Sequence, residues 1–373
     1  MAGRESRETP EFASRTVRPV VISFSDLQVK ESDLPEKVGE AFGPNGLGIV
    51  VIADVPGFSM LRQYLLHLSP RVASLPDDVK ATIEDPGSRY SVGWNHKKEK
   101  LGSHMRDEFK GSFNANPFLD VPTTDMSLIR RYPMYCRPNK WPTSALPDLE
   151  VAFKAMGKVM LDVGLMLAYH CDQYVSNAVK VRKGGQGFEQ ILERSRCHKG
   201  RLLCYLPKQK RSLLLSSNLS FSDCARGFGS ISSWCTWHTD YSCLTGLTCG
   251  MFMRNGVKVE CPDNAAGLYI QTRDDEIVKV DFREDELAYQ IGEAAEILSG
   301  GHLCATPHYV QAPSGEEAIG VVRSTFALFM QPDWDENLKL PGKVLQDRQH
   351  PQLVPKGAST FGEYSEALLS RYI

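Results

Sequence analysis

The chain has 373 residues, of which 42% are hydrophobic and 24% are charged. Its formal net charge of −2 gives no general attraction to nucleic acid or to an anionic membrane. No run approaches the roughly 18 apolar residues that a membrane-spanning helix requires, so we expect no membrane partner. The size suits one large domain, and partners must be inferred from particular sites.

The ten cysteines are scattered without any Cys-x-x-Cys pair, and no apolar leader precedes them. This pattern predicts reduced thiols in an intracellular, cytoplasmic protein. Four of them could be considered for a zinc cluster, but their spacings fit no zinc template, so we interpret them as small buried apolar side chains. These four are Cys235, Cys243, Cys249 and Cys261.

The N-terminal part of the chain divides into a charged lead-in and an α/β region. Residues 1–18 mix arginine with glutamate and hold few apolar groups, so we expect a flexible segment. Residues 19–140 show two apolar β-type runs, each followed by a helical pattern. The predicted strands are 19–24 and 48–53, and the predicted helices are 34–42 and 58–83, the second broken at Pro70. Residues 86–120, rich in Gly, Asn and aromatic residues, predict an irregular loop.

A long amphipathic helix is predicted at residues 147–177 by a stripe of apolar residues at spacings of three and four. The stripe consists of Leu149, Phe153, Met156, Met160, Val163 and Leu167. Near its end His170 and Asp172 spell His-x-Asp, but two residues apart on a helix differ by about 200° in direction. We therefore predict that these two side chains do not share a metal ion.

After a polar stretch at 180–199, predicted to be a loop, the pattern changes to short strands. About eight strands separated by turns suit a double-stranded β-helix, the jelly-roll form of a barrel. The predicted strands are 201–206, 231–237, 244–253, 267–272, 277–282, 288–291, 305–310 and 319–330. We thus predict a single domain over 19–373, mainly β with flanking helices, with a jelly-roll core at 201–331 and a C-terminal helix at 359–373.

Two groups of candidate metal-binding and carboxylate-binding residues lie in the predicted strands. His238 and Asp240 are two apart in a β-type run, so their side chains leave the same face of a strand. With His308 they would form two histidines and one carboxylate, a set that holds non-haem Fe(II) and leaves positions open for substrate and O2. Arg323 and Thr325 also share a strand face, and arginine suits bidentate capture of a carboxylate.

The runs around these residues resemble the isopenicillin N synthase-like, 2-oxoglutarate- and Fe(II)-dependent oxygenases. The matching runs are His-Thr-Asp-Tyr at 238–241, Leu-Thr at 244–245, and Gly-Gly-His-Leu-Cys-Ala-Thr-Pro-His at 300–308. The last run favours His308 over His302 as the distal iron ligand. Tyr205, in Arg-Leu-Leu-Cys-Tyr-Leu-Pro at 201–207, matches the tyrosine that joins the arginine in holding 2-oxoglutarate.

The resemblance implies a non-haem Fe(II) dioxygenase with iron on His238, Asp240 and His308, and with 2-oxoglutarate held by Arg323, Thr325 and Tyr205. It also implies O2 as co-substrate and ascorbate as reductant. The expected reaction oxidises, by default hydroxylates, a C–H bond of a small molecule, with release of succinate and CO2.

The sequence departs from the family pattern at four positions associated with binding of 2-oxoglutarate. Thr325 replaces a serine, Leu203 and Leu206 replace the Asn and Pro that flank the tyrosine, and Tyr309 replaces an arginine. Two alternatives therefore stay open: an Fe(II) oxidase that does not use 2-oxoglutarate, with Arg323 binding the substrate's own carboxylate, and a non-catalytic binding relative. We expect the substrate-selecting residues in the regions 86–120 and 208–233. The sequence does not specify the substrate, the choice among hydroxylation, desaturation and cyclisation, or the oligomeric state.

Overall fold

A computed structural model describes residues 15–98, 100–101, 105–106, 109–179, 187–206, 233–338 and 358–369. Residues 1–14 of the predicted flexible segment and residues 207–232, most of the second predicted substrate-selecting region, lie outside the described residues.

The described secondary structure combines many short strands with helices of very different lengths. They are β1 (Thr16–Val17), β2 (Val20–Ser23), β3 (Ile49–Ala53), β4 (Gly93–His96), β5 (Lys100–Leu101), β6 (Met105–Arg106), β7 (Lys110–Ala115), β8 (Lys199–Tyr205), β9 (Ser233–His238), β10 (Leu244–Thr248), β11 (Met251–Arg254), β12 (Val257–Val259), β13 (Gly267–Gln271), β14 (Ile277–Val280), β15 (Leu287–Ile291), β16 (His308–Gln311) and β17 (Val321–Met330). The helices are α1 (Phe24–Gln28), α2 (Pro35–Phe42), α3 (Phe58–Ala73), α4 (Asp77–Ile83), α5 (Met126–Arg131), α6 (Pro133–Cys136), α7 (Asp148–Val179), α8 (Phe188–Glu193), α9 (Glu293–Leu298) and α10 (Phe361–Leu369).

The strands form two main sheets, so the molecule combines helices with large sheets. The large sheet has the order β2-β3-β15-β10-β17-β8-β7-β4, and β11 also pairs with β17. The smaller sheet has the order β1-β14-β13-β16-β9. Four strands of the predicted N-terminal α/β region thus extend the large sheet. β3 lies inside the large sheet, between β2 and β15. All five of its residues are buried, as expected for a strand covered on both faces.

Helix α7 packs against the large sheet through the predicted apolar stripe. All six stripe residues are at most 2% exposed. Phe153 makes an edge-to-face contact with Phe326 of β17, with ring centroids 4.9 Å apart. The prediction of a long helix at 147–177 is confirmed to within two residues at either end. None of the described helices combines the length and apolar composition needed to cross a bilayer.

Several local predictions were wrong. The region 86–120 contains β4 and β7, because pairing with β8 overrides the weak β propensity of the Lys-Gly-Ser-Phe-Asn-Ala run. The helix predicted at 58–83 does not break at Pro70, which lies in the last turn of α3 and forfeits only one hydrogen bond. The break comes at Ser74–Pro76, just before α4.

Two further stretches are more ordered than their composition indicates. Residues 15–18 belong to the predicted flexible segment, yet β1 pairs in parallel with β14 and Arg18 forms an ion pair with the buried Glu286. The predicted loop at 180–199 contains α8 and the first residue of β8. In both places tertiary partners supply stabilisation that a local reading of the sequence does not detect.

Candidate metal and co-substrate site

The two histidines of the predicted metal site face each other across neighbouring strands. His238 ends β9 and His308 begins β16, and the two residues are direct partners in the antiparallel pairing. Their ring centroids lie 4.2 Å apart. Asp240 differs from the prediction because it lies beyond the end of β9, in the connection to β10.

Asp240 nevertheless reaches both imidazoles. Its Oδ1 lies 3.7 Å from Nε2 of His238 and 4.0 Å from Nε2 of His308. One potential ligand atom from each of the three residues lies within 4.8 Å of the others. This spacing suits a single ion held on one side by two nitrogens and one carboxylate oxygen.

The other ring nitrogens of the histidines are oriented by neighbouring groups. Nδ1 of His238 lies 2.8 Å from the carbonyl oxygen of Thr236 and can donate its proton there. Nδ1 of His308 lies 2.8 Å from the side-chain amide of Gln290. A ring that donates through Nδ1 keeps the lone pair of Nε2 for a metal.

Gln290 provides a test of whether these residues fit a metal. Its side chain is fully buried, and with the amide nitrogen on His308 its oxygen has no hydrogen-bond partner among the described residues. The two orientations of an amide are nearly indistinguishable by shape. With the amide reversed, the oxygen accepts the Nδ1 proton of His308, which can also point to the Thr306 carbonyl oxygen at 3.3 Å, and Nε2 is left unprotonated. That is the tautomer that metal coordination through Nε2 requires, so the fit is good.

The turn that carries Asp240 is held by the start of α9. The backbone N–H of Glu293 donates to the carbonyl oxygen of Asp240 at 2.7 Å. A Cβ atom on Gly292 would come within 2.1 Å of the Ser242 carbonyl oxygen, so this approach requires glycine. The Glu293 carboxyl accepts a hydrogen bond from the Tyr364 hydroxyl, and burial raises its pKa to about 7.

The three potential metal ligands, His238, Asp240 and His308, line a cavity of about 370 Å³ between the two sheets. Most of its wall comes from strands, including β7, from which Lys110 of the region 86–120 lines the cavity. The lining includes every predicted site residue, namely Tyr205, His238, Asp240, His308, Arg323 and Thr325.

Arg323 lies on β17 directly opposite Tyr205 of β8. Its guanidinium carbon lies 5.3 Å from the Tyr205 ring centre and 5.5 Å from that of Trp234, distances at which cations are stabilised by aromatic faces. Its buried Nη1 has no hydrogen-bond partner among the described residues. A guanidinium held in this way, with a donor left over, fits a carboxylate ligand.

The predicted strand 244–253 is divided at residues 249–250, between β10 and β11. A Cβ atom on Gly250 would come within 2.5 Å of Nε of Arg323. Glycine at this position therefore leaves room for the arginine side chain.

Thr325 has a different environment from the one its predicted role suggests. Its hydroxyl donates to the Thr248 carbonyl oxygen at 2.9 Å, so its single proton is already used. Binding a carboxylate through Thr325 would require this bond to be exchanged. Lys110 was missed as a cavity residue, and it lies opposite Tyr205 on the other side of β8 from Arg323.

Burial and charged neighbours shift the pKa values of the side chains at and beside the potential metal ligands. Burial opposes ionisation of the Cys235 thiol, but the nearby His238, together with Lys110 and Arg201, lowers its pKa to about 7. Burial likewise disfavours the charged form of His238, but Cys235 and Asp240 raise its pKa to about 10. Burial, reinforced by the charge of His238, lowers the pKa of His308 to about 4.

The remaining candidates of the sequence lie elsewhere. His302 is not in the group of potential metal ligands among the described residues. Tyr309 follows His308 on β16 and therefore lies on the opposite face, where its ring stacks on Tyr269 at 5.0 Å and contacts Trp237 at 4.5 Å. The replacement of arginine by Tyr309 thus does not alter the cavity.

Comparisons with known proteins agree with this architecture. No protein-family model and no curated protein matches the sequence. Solved structures do match. A full-length protein from Neurospora crassa, solved in complex with alpha-KG (2-oxoglutarate) and 5-formyluracil, has a TM-score of 0.63 at 14% identity, covering 93% of this chain and 94% of its own.

Two other solved structures give the same result. A 2OG-Fe(II) oxygenase family protein from Caulobacter crescentus has a TM-score of 0.62 at 16% identity, covering 95% of this chain and 98% of its own. AtDAO1, the dioxygenase for auxin oxidation 1 of Arabidopsis thaliana, in complex with 2-oxoglutarate, has a TM-score of 0.55 at 16% identity, covering 84% of this chain and 92% of its own. The chain therefore shares the fold of 2-oxoglutarate- and Fe(II)-dependent oxygenases, and a candidate His-Asp-His metal site lies within it.

Proposed function

We propose that the protein is a 2-oxoglutarate- and Fe(II)-dependent oxygenase of the isopenicillin N synthase-like type, with its two sheets forming a jelly roll. It would oxidise a C–H bond of a small molecule and release succinate and CO2. The observation that carries this proposal is the convergence of His238, Asp240 and His308 in a cavity that Arg323 also lines. The 2-oxoglutarate bound to the Neurospora crassa protein and to AtDAO1 supports the choice of co-substrate.

The proposal assigns a role to each residue of the site. Bound iron and 2-oxoglutarate supply the oxidising chemistry, with O2 as oxidant and ascorbate as a reductant that keeps the iron ferrous. His238, Asp240 and His308 hold the iron, and the Nδ1 contacts of the two histidines fix their ring orientations. Arg323 binds the far carboxylate of 2-oxoglutarate, and Tyr205 and Trp234 position the guanidinium. Asp240 and His308 are buried and His238 is partly exposed, so the walls of the cavity restrict the access of water to the reacting centre.

An Fe(II) oxidase that does not use 2-oxoglutarate is the second candidate. Two observations favour it: the Thr325 hydroxyl already donates to Thr248, and Leu203 stands where the family has an asparagine. In that case Arg323 would bind a carboxylate of the substrate itself. The two candidates share the metal site and differ in whether 2-oxoglutarate binds.

Calorimetric titration of 2-oxoglutarate into the Fe(II)-loaded protein without O2 separates them. The proposal predicts saturable binding that disappears in Arg323→Gln and persists in Lys158→Gln, which removes a charge from an exposed position on α7. Exposure to O2 should then release succinate from the wild type and not from His308→Ala. Iron binding without any 2-oxoglutarate binding would overturn the proposal in favour of the oxidase.

A further inference from the structure

A second arginine lines the cavity at a position distinct from Arg323. Arg201 lies on β8 on the same face as Tyr205, because residues 201, 203 and 205 alternate with residues that pack toward the helices. It pairs with Asn114 on one side and with Ala327 on the other. Since Arg323 pairs with Tyr205, the two arginines attach to the wall about 13 Å apart along the strand direction.

Arg201 lines the same cavity as the three potential metal ligands, His238, Asp240 and His308.

The wall beside Arg201 is apolar. Leu203 follows it on the same face of β8, Ala327 lies opposite it on β17, and Leu247 lies opposite Ala327 on β10. A ligand at this wall would therefore contact hydrocarbon along its body and a guanidinium at one end. Arg201 carries five N–H donors, so it retains capacity for an anion even where some donors are engaged within the protein.

We propose that Arg201 binds the carboxylate of the substrate, and that the substrate class is a small carboxylic acid with an apolar body. This inference rests on the proposed function, in which Arg323 is occupied by 2-oxoglutarate. The planar fork of arginine matches a carboxylate in two hydrogen bonds, which both binds the acid and fixes its direction. With the carboxylate at Arg201, the apolar body lies along the wall beside the metal group, where a C–H bond is to be oxidised.

The test compares acids with their amides, which match in shape and lack the charge. Phenylacetate, hexanoate and their two amides are titrated into the full chain loaded with Fe(II), without O2, in the presence and absence of 2-oxoglutarate. We expect at least one acid to bind the wild type at least roughly tenfold more tightly than its amide, the range for hydrogen bonds to charged groups. Arg201→Gln should remove this preference, Arg201→Lys should restore part of it, and Lys158→Gln should leave it unchanged.

The outcomes separate this inference from the proposed function. Equal affinity for acids and amides in the wild type, absence of binding by both acids, or a preference that survives in Arg201→Gln would overturn the role of Arg201. A loss of 2-oxoglutarate affinity in Arg201→Gln as large as the loss of acid affinity would also overturn it, since the arginine would then belong to the co-substrate site. Failure of the wild type to bind 2-oxoglutarate would instead overturn the proposed function, while the titrations without 2-oxoglutarate still report on Arg201.

Discussion

The pattern His-x-Asp occurs twice in this chain, in two regions with opposite surroundings. In the helix α7, His170 and Asp172 point to different partners: Nε2 of His170 lies 3.0 Å from the carbonyl oxygen of Leu27, and Asp172 accepts from the backbone N–H of Phe188 at 2.8 Å. At the end of β9, the side chains of His238 and Asp240 converge with His308. The pair on α7 therefore makes structural hydrogen bonds, and the pair at the end of β9 belongs to a group of potential metal ligands.

The backbone around each pair accounts for the difference. A helix turns successive residues by about 100°, so two residues apart cannot face one ligand. Asp240 lies in the turn beyond the end of β9, where the backbone N–H of Glu293 holds its carbonyl oxygen and its carboxylate reaches both imidazoles. Asp172 then has a role of its own, because it caps the first turn of α8 through the N–H groups of Phe188 and Glu189.

The largest expected effect concerns the carboxylates of the two pairs. We expect Asp240→Asn to lower Fe(II) affinity more than roughly 100-fold, beyond the range typical of residues that only support a ligand. Asp172→Asn, the matched change on the helix, should leave Fe(II) affinity unchanged. Anaerobic equilibrium dialysis measures both affinities. Similar Fe(II) affinities in the two variants would contradict the assignment of Asp240 as a metal ligand.

The second effect tests the orienting contact of His308. Gln290→Leu keeps the apolar volume but removes the 2.8 Å contact to Nδ1 and leaves it the longer contact to the Thr306 carbonyl oxygen at 3.3 Å, so we expect Fe(II) affinity to fall roughly 10- to 100-fold. Gln290→Glu supplies a carboxylate acceptor and should retain most of the affinity. Thermal unfolding of the apoproteins checks that both variants fold. A folded Gln290→Leu variant with wild-type Fe(II) affinity would show that the contact does not orient the ligand.

A smaller effect is expected on stability alone. Asp172→Asn should lower the free energy of unfolding by about 1–3 kcal/mol, the range for a hydrogen-bonded buried charge. The reason is that the amide accepts less strongly from the N-terminus of α8 than the carboxylate does. Urea unfolding of the apoprotein measures this change, and a stability equal to that of the wild type would argue against the capping role.

The smallest effect concerns the other member of the helix pair. His170→Phe removes the hydrogen bond to Leu27 and should cost about 1 kcal/mol in the free energy of unfolding. It should leave Fe(II) affinity as it is in the wild type. A loss of Fe(II) affinity in this variant, measured at a temperature where it is fully folded, would mean that the helix pair is not independent of the metal site.

The sequence predicts those parts of the fold and site that depend on short-range patterns. The stripe of α7 and the convergence of His238 and His308 follow from periodicity and from a family resemblance. The supporting residues were not predictable, because their function arises from contacts between distant segments. Gln290 reaches a histidine 18 residues away, and Gly292 fixes the turn of Asp240 through backbone proximity. A glutamine within the apolar run Leu-Ala-Tyr-Gln-Ile was the one available signal, since a buried polar side chain calls for a partner.

The decisive experiment is a crystal structure of the protein grown without O2 in the presence of Fe(II) and 2-oxoglutarate, with anomalous diffraction at the iron edge. We expect one iron ion bound by His238, Asp240 and His308, and 2-oxoglutarate whose far carboxylate contacts Arg323. Iron bound elsewhere, or 2-oxoglutarate absent from Arg323 at saturating concentration, would show that the proposed site is wrong.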